Sequence, residues 1–378
     1  MIFRFHKEKK ILFILLLLVV MKIPGQESLL NKPSSLEKVK ECLDATYNFS
    51  FRKAWRLQNQ LSKLHPGHPA PDFLKGLIIY WQNFPLTPGS QYSEHFIDQM
   101  DRVIDLAGKM LEEPSLQLEG VFFDLFGRAF KAMYYADNGK AGKVIPDLRT
   151  MYINTIRGFD LKDDFIEFYF STGLYNYYIE AYPEAHPIYK PIVSFMKEGN
   201  RHTGLMQLEY AINECVYLKA EALLFMSLIQ LNYEANLKAA SAYALKLHGT
   251  YPGNSYYWGH SIIILLHEGN FSKVKEMLKE NAIRHDSFRI MIEQIAGAFM
   301  EEHLGGNLAI SSSMYMNVLK MAEKYGNFGD LYSAIAYMGL SRIADKEHDE
   351  SGRKRYLRLA ESHTNYTYII AGLQSVPR

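Results

Sequence analysis

Apolar residues recur along this chain at spacings of three and four, and runs of strict apolar–polar alternation are scarce. That periodicity predicts amphipathic helices rather than half-buried strands. The helical runs are cut by short punctuators: "HPGHPAP", "FPLTPGSQ", "GFDLKD", "YPEAHP", "YPGN", "LGGN", "YGNFGD" and two copies of "EGN". Glycine, proline and asparagine at such places stop one helix and start the next. About sixteen helices of roughly ten to twenty residues are expected. Regular alternation of helix and short turn predicts an all-α fold, an α-solenoid of antiparallel helical hairpins stacked in a row.

A period near 34 residues emerges within the helical pattern. In "SLEKVKECLDATYNFSFRKAWRLQNQLSKLHPGHP", Cys42 supplies a small residue on the first helix and Phe51 and Ala54 open the second. Pro66 follows Ala54 by twelve residues and closes the unit. In "EALLFMSLIQLNYEANLKAASAYALKLHGTYPGN", Leu237 and Ala240 take the same two places and Pro252 again follows by twelve. The next unit has Trp258 early on its first helix and Gly269, Phe271 and Val274 at its turn. An earlier one places Gly199, Gly204 and Ala211 at the turn and the two small positions. Two helices approach closely only where a small side chain on one meets a large one on the other, and a proline directs the exit.

These positions resemble the tetratricopeptide repeat (TPR) superfamily over roughly a third of the chain. The resemblance implies a right-handed α-solenoid. Gly76, Gly127, Gly173 and Gly339 mark further first-helix positions, with longer loops at 84–92 and around 137–142. The layout "GLYNYY…P…GN…GL…L…A" is similar to that of exported TPR-like proteins of Gram-negative bacteria. A seam is expected at "PEAHPIYKPIVSFMKEGN", which carries Pro183, Pro187 and Pro191. It divides the chain into arrays at 26–182 and 183–378, or it marks one irregular repeat in a single continuous solenoid.

The N-terminus changes the picture of location. Arg4, Lys7, Lys9 and Lys10 precede "ILFILLLLVVM", and "KIPGQE" follows. This is the pattern of a secretory signal peptide over residues 1–25, cut near Gly25. The apolar run is shorter than the roughly 20 residues a membrane span needs. Export to the periplasm or cell envelope is expected, with no integral span after cleavage. The two cysteines, Cys42 and Cys215, are expected as buried core residues rather than a disulfide or a zinc site.

Charge excludes a class of partner. Lys and Arg number 42 against 41 Asp and Glu, giving a net charge of +1, so no general field for nucleic acid exists. The local run Arg353 to Arg358 reads as a solvated helix face. No HExxH, GxSxG, GxxxxGK[ST] or GxGxxG motif occurs. Glu301-Glu302-His303 and Glu347-His348-Asp349-Glu350 place histidine among carboxylates at helix ends, but consecutive helical residues do not share a face. His65 and His68 belong to a turn, and Ser311 to Tyr315 lies in a helical run without a nearby histidine. Asn48, Asn270 and Asn365 fit the glycosylation pattern, the first two at turns that want asparagine anyway. The expectation is therefore a non-enzymatic chain with no cofactor and no metal.

Binding is left to the aromatics, with 26 Tyr, 22 Phe and 3 Trp. Tyrosine suits a half-buried place, where its ring packs and its hydroxyl meets a partner. In "YFSTGLYNYYIEAYP", Phe170, Gly173, Leu174 and Tyr177 form one helical stripe, expected in the core. A second stripe, Tyr175, Tyr178 and Tyr182, either faces the inner surface of the solenoid, where Tyr256, Tyr257 and Trp258 extend it, or is buried between neighbouring hairpins. Pro183 is expected to end that helix. The leading expectation is a scaffold or adaptor that binds a protein or peptide partner. The alternative is a glycan- or small-ligand-binding protein with an aromatic groove.

Overall fold

The computed structural model describes residues 28–370, apart from positions 30, 31, 281, 282, 284, 285 and 365. The signal-peptide expectation for residues 1–25 lies outside the described residues. Among these residues there are sixteen α-helices of seven residues or more and no strand. They are α1 (Pro33–Tyr47), α2 (Phe51–Leu64), α3 (Pro69–Gln82), α4 (Tyr92–Leu111), α5 (Gln117–Asp137), α6 (Ile145–Leu161), α7 (Phe168–Ala185) and α8 (Arg201–Glu214). The second half contains α9 (Lys219–Asn232), α10 (Leu237–Thr250), α11 (Ser255–Glu268), α12 (Phe271–Met277), α13 (Ser287–His303), α14 (Leu308–Ala322), α15 (Asp330–Lys346) and α16 (Glu350–His363). Each packs on its neighbours in sequence, apart from α12 with α13, and α1 packs on α3, α3 on α5, α11 on α13 and α13 on α15. This is the contact pattern of stacked hairpins in an α-solenoid.

The punctuators act as caps. Asn200, Asn236, Asn254, Asn270 and Asn307 each accept a hydrogen bond from a backbone N–H in the first turn of the helix that follows. Those N–H groups have no partner inside the helix, so the side chain replaces one. Gly269 ends α11 at φ 79°, a left-handed conformation that glycine adopts without strain. Pro183 does not end α7, which continues to Ala185. Proline there removes only one ladder bond close to the helix end, and the His186 N–H still reaches the Tyr182 carbonyl at 2.8 Å.

The small positions are where helices touch. A Cβ on Gly204 of α8 would stand 2.6 Å from the Tyr177 nitrogen and 2.8 Å from the Gly173 carbonyl oxygen of α7. Both partners are backbone, which cannot rotate away. Cys42, Ala54, Ala211 and Ala240 are likewise buried, while Pro66 and Pro252 lie exposed at their turns. Neither cysteine is bridged, and burial pushes the Cys42 thiol up to about 12.

Across the 183–200 segment the core is continuous: Phe168, Phe170 and Tyr177 belong to the same buried cluster as Leu208, Ala211 and Leu223. A second large cluster starts at Trp258 and runs to Ile369. Two buried polar devices tie neighbouring helices. Glu167, 1% exposed, accepts the backbone N–H groups of Val216, Tyr217 and Leu218 at 2.6, 3.0 and 3.1 Å, joining the start of α7 to the approach to α9. Glu302 of α13 receives Arg342 of α15 through two bonds of 2.7 and 2.8 Å and the Tyr315 hydroxyl of α14 at 3.0 Å. Burial alone would raise the Glu302 carboxyl, but the Arg342 guanidinium holds it below its ordinary value. The Glu301-Glu302-His303 run thus holds a buried ion pair, not only solvated charge at a helix end.

The start of the row also meets the turn between α10 and α11. Asn254, already capping α11, donates to the Tyr47 carbonyl at 3.0 Å, and the Gly253 N–H donates to the Asn48 side chain at 3.1 Å. The Tyr47 ring packs on Trp81, Tyr251 and Tyr257, and its hydroxyl donates to Glu221 of α9. Phe84 packs on Tyr256, Phe288 and Phe328 at 5.0, 5.8 and 5.1 Å.

Gly204→Val is expected to destabilise the protein by roughly 1–3 kcal/mol, because the α7–α8 crossing must open to admit the side chain. Urea unfolding followed by circular dichroism measures it. An unchanged midpoint would show that the crossing is not tight.

Candidate functional site: a tyrosine-lined chamber

The sequence-predicted aromatics part company in the structure. Tyr257 and Trp258 are 1% and 0% exposed, and the Trp258 indole N–H donates to the Met277 carbonyl at 3.1 Å. They belong to the core, so neither is a groove contact. Early on α11, successive residues point in different directions, and of these three Tyr256 lines the cavity described next. On α7 the expected core stripe of Phe170, Gly173 and Tyr177 is buried, and Leu174 is half-buried. Tyr175 is half-buried on another side, against Tyr152 and Phe159, with its hydroxyl donating to the Lys197 carbonyl at 2.6 Å. Tyr178 is half-buried against Tyr233 at 5.3 Å, and Tyr182 is exposed and packs on His186 and Tyr189. The structure therefore does not gather the six aromatics into one groove.

It gathers a different set. A cavity of about 460 Å³ lies between the end of α5, α9, α11, the start of α15 and the turn after α16. Tyr256, Tyr332, Tyr366 and Tyr368 line it, with Asp137, His260, Asp330 and His363. Tyrosine supplies both ring surface and hydroxyl, so one lining offers stacking and hydrogen bonding together.

Each polar group here has a physical state set by its surroundings. Asp137, the last residue of α5, takes a 3.3 Å bond from the Tyr80 hydroxyl. Burial outweighs that bond and pushes its carboxyl up to about 6. His260 lies one turn after Tyr256, with the two rings at 6.3 Å and an interplanar angle of 22°. Burial lowers its imidazole to about 4, so the ring is neutral near pH 7, bonded to the Ser227 hydroxyl at 3.0 Å. His363 and Asp330 form a 2.8 Å pair at the rim. The chamber thus presents a carboxyl that ionises near pH 6, a neutral imidazole and several hydroxyls, a set able to hydrogen-bond an uncharged hydroxylated ligand.

Sequence reasoning missed Asp137, Tyr332, Tyr366 and Tyr368. Asp137 fell in a segment read as a loop; its hydrogen-bond partner Tyr80 lies 57 residues away, and the chamber tyrosines lie more than a hundred away. The one available signal was an acidic residue two positions after the aromatic pair Tyr134-Tyr135. Among the described residues no group of three or more His, Cys, Asp or Glu is arranged to hold a metal ion, and no helix is long and apolar enough to cross a membrane.

Among known proteins, no family model matches the chain and no curated protein matches it.

Asp137 gives a pH signature. Its folded value, raised above the ordinary 3.8, contributes stability that is present below about 4 and lost as pH rises through about 6. Asp137→Asn is expected to remove that loss, on the order of 2 kcal/mol between those limits. Comparing urea midpoints of the two proteins from pH 4 to 8 tests it. Parallel profiles would place the carboxyl in water.

Proposed function

We propose that this chain is an exported binding protein of TPR-like, right-handed α-solenoid architecture, and that it holds a small hydroxylated ligand of the glycan class in the tyrosine-lined chamber. The observation that carries this reading is the meeting of Tyr256, Tyr366 and Tyr368 with Asp137 and His260 in one cavity of about 460 Å³. That volume is within the roughly 300–1,000 Å³ of small-ligand sites. Aromatic faces suit the apolar faces of sugar rings, and a carboxylate with a neutral imidazole suits their hydroxyls. The titratable groups are each engaged, Asp137 with Tyr80, His260 with Ser227 and His363 with Asp330, which supports binding rather than catalysis. Export rests on the basic and apolar run at residues 4–21, and the TPR type on the spacing of Cys42, Ala54 and Pro66 and of Ala240 and Pro252.

The test is calorimetric titration with a panel of gluco-, galacto- and N-acetylglucosamine oligosaccharides. Tyr256→Phe and Asp137→Asn should each weaken a binding sugar by about tenfold, on the order of 1.4 kcal/mol. Affinity should rise from pH 5 to 7 as Asp137 ionises, since a carboxylate is the stronger acceptor. No binding across the panel, or equal binding by both variants, would end this reading.

One surface feature favours the scaffold reading instead. Between α7 and α8, Ile188, Ile192 and Phe195 are 81, 61 and 91% exposed, beside the exposed Tyr182 and Tyr189. Clustered exposed apolar side chains mark interaction surfaces. A protein partner would dock on this strap, not in the interior. Ile188→Ser with Phe195→Ser is expected to remove any protein that co-purifies with the mature chain from cell envelopes. Retention of the partner by the double variant would exclude the strap.

A further inference from the structure

A second cavity, of about 340 Å³, lies among α5, α6, α7 and α9, and its character is opposite to that of the chamber. Its wall is carbon from Phe126, Met133, Met151, Leu174 and Phe225. Four side chains on it carry a polar atom: Thr155, Ser171, Tyr175 and Glu221. Three of these are already satisfied. The Thr155 and Ser171 hydroxyls donate to carbonyls of their own helices, Met151 at 2.8 Å and Phe168 at 3.2 Å. The Tyr175 hydroxyl donates to Lys197 at 2.6 Å.

Glu221 differs. Its Oε1 accepts the Tyr47 hydroxyl, but its Oε2 is buried with no hydrogen-bond partner. A carboxylate oxygen left unpaired away from water is costly, on the order of 1–3 kcal/mol or more. Such an orphan on a residue that lines an apolar cavity has the form of a ligand anchor once its side chain turns inward: one polar point in a pocket otherwise suited to hydrocarbon. Glu221, Phe225 and the half-buried Leu224 lie along one run of α9, so the acid sits at one end of the apolar wall.

We propose that this cavity is a binding site for a small apolar molecule bearing a single hydrogen-bond donor, a primary amine above all, with the donor on Glu221 Oε2 and the hydrocarbon against Phe225 and Met133. The sign of the group selects the ligand. An acceptor-only headgroup such as a carboxylate would meet the acid with repulsion, whereas an ammonium would satisfy the orphaned oxygen and balance its charge. Burial pushes the Glu221 carboxyl up to about 7, so at pH 8 it is ionised for an amine, and near pH 5 it is protonated. The volume holds about ten water-sized groups at roughly 30 Å³ each, the size of an eight-carbon amine. This site is independent of the chamber: it requires neither a sugar nor Asp137.

The test is titration of the full chain at pH 8 with octylamine, octanol and octanoate. Octylamine is expected to bind at least tenfold tighter than octanoate, with octanol between them, and to weaken at least tenfold at pH 5. Ala129→Phe, which fills the cavity, should abolish amine binding, and Glu221→Gln should reduce octylamine to the level of octanol. The comparison of the three probes on the unaltered protein stands even where a variant fails to fold. Octanoate binding as tightly as octylamine would overturn the proposal. So would amine binding that survives Ala129→Phe but is lost in Asp137→Asn, which would place the amine in the chamber.

Discussion

The structure depends on one junction, where Asn254 serves two masters. Its side-chain oxygen caps α11 by accepting from Tyr256 and Tyr257, and its amide nitrogen donates to the carbonyl that ends α1. Those two residues are separated by 207 positions in the chain. Around this bond the Tyr47 and Tyr257 rings pack on each other at 6.4 Å, and each also packs on Trp81 and Tyr251. A row of hairpins in which each touches only its neighbours stays open and adds stability unit by unit. A contact between distant hairpins makes the row cooperative and encloses its inner side. Trp81 and Phe84 extend the junction to Tyr256, and Phe84 carries it to Phe288 and Phe328. The inner surface of this solenoid is therefore largely core, and what space it retains is divided into cavities.

Those cavities owe their chemistry to the same closure. On α5 the stripe Phe126, Ala129, Met133 and Asp137 passes from the apolar cavity to the chamber within three helical turns. On α9 Glu221 and Phe225 line the first and Leu228 the second. Two helices thus wall both spaces, and a carboxyl falls in each. Enclosure removes water from both carboxyls and raises both, Asp137 to about 6 and Glu221 to about 7. An open groove with the same residues would leave them at ordinary values, indistinguishable from the other acids of the surface.

The architecture was legible in the sequence because it is local. Helix period, asparagine caps and small residues at crossings are read within a window of about 30 residues, and Gly173, Gly204, Ala211 and Ala240 all sit at buried positions. Pro183 misled because a proline in the last turn costs one hydrogen bond, not the helix. The binding surface was only half legible. Tyr178 and Tyr256 are half-buried and Tyr182 is exposed, but Tyr257 and Trp258 went inward. Three consecutive aromatics on a helix point about 100° apart, and nothing within that turn says which one meets the distant Tyr47 and Trp81. Asp137, Glu221 and Glu302 were illegible for the same reason. What makes each unusual is a partner supplied from elsewhere in the chain: Tyr80 for Asp137, Tyr47 for Glu221 and Arg342 for Glu302.

Glu302 and Glu221 show how a buried acid declares its purpose. Both are carboxylates on inner helices of the stack. Glu302 is met by a bidentate guanidinium and a tyrosine hydroxyl, so its charge is balanced and its oxygens are filled. That arrangement fixes α13, α14 and α15 relative to one another and has no capacity for a ligand. Glu221 has one neutral hydroxyl on one oxygen and nothing on the other, on a residue that lines the apolar cavity. A group that served only to hold helices together would be cheaper as a leucine in that apolar wall. An acid at this place is accounted for by the proposed ligand, whose donor would complete it.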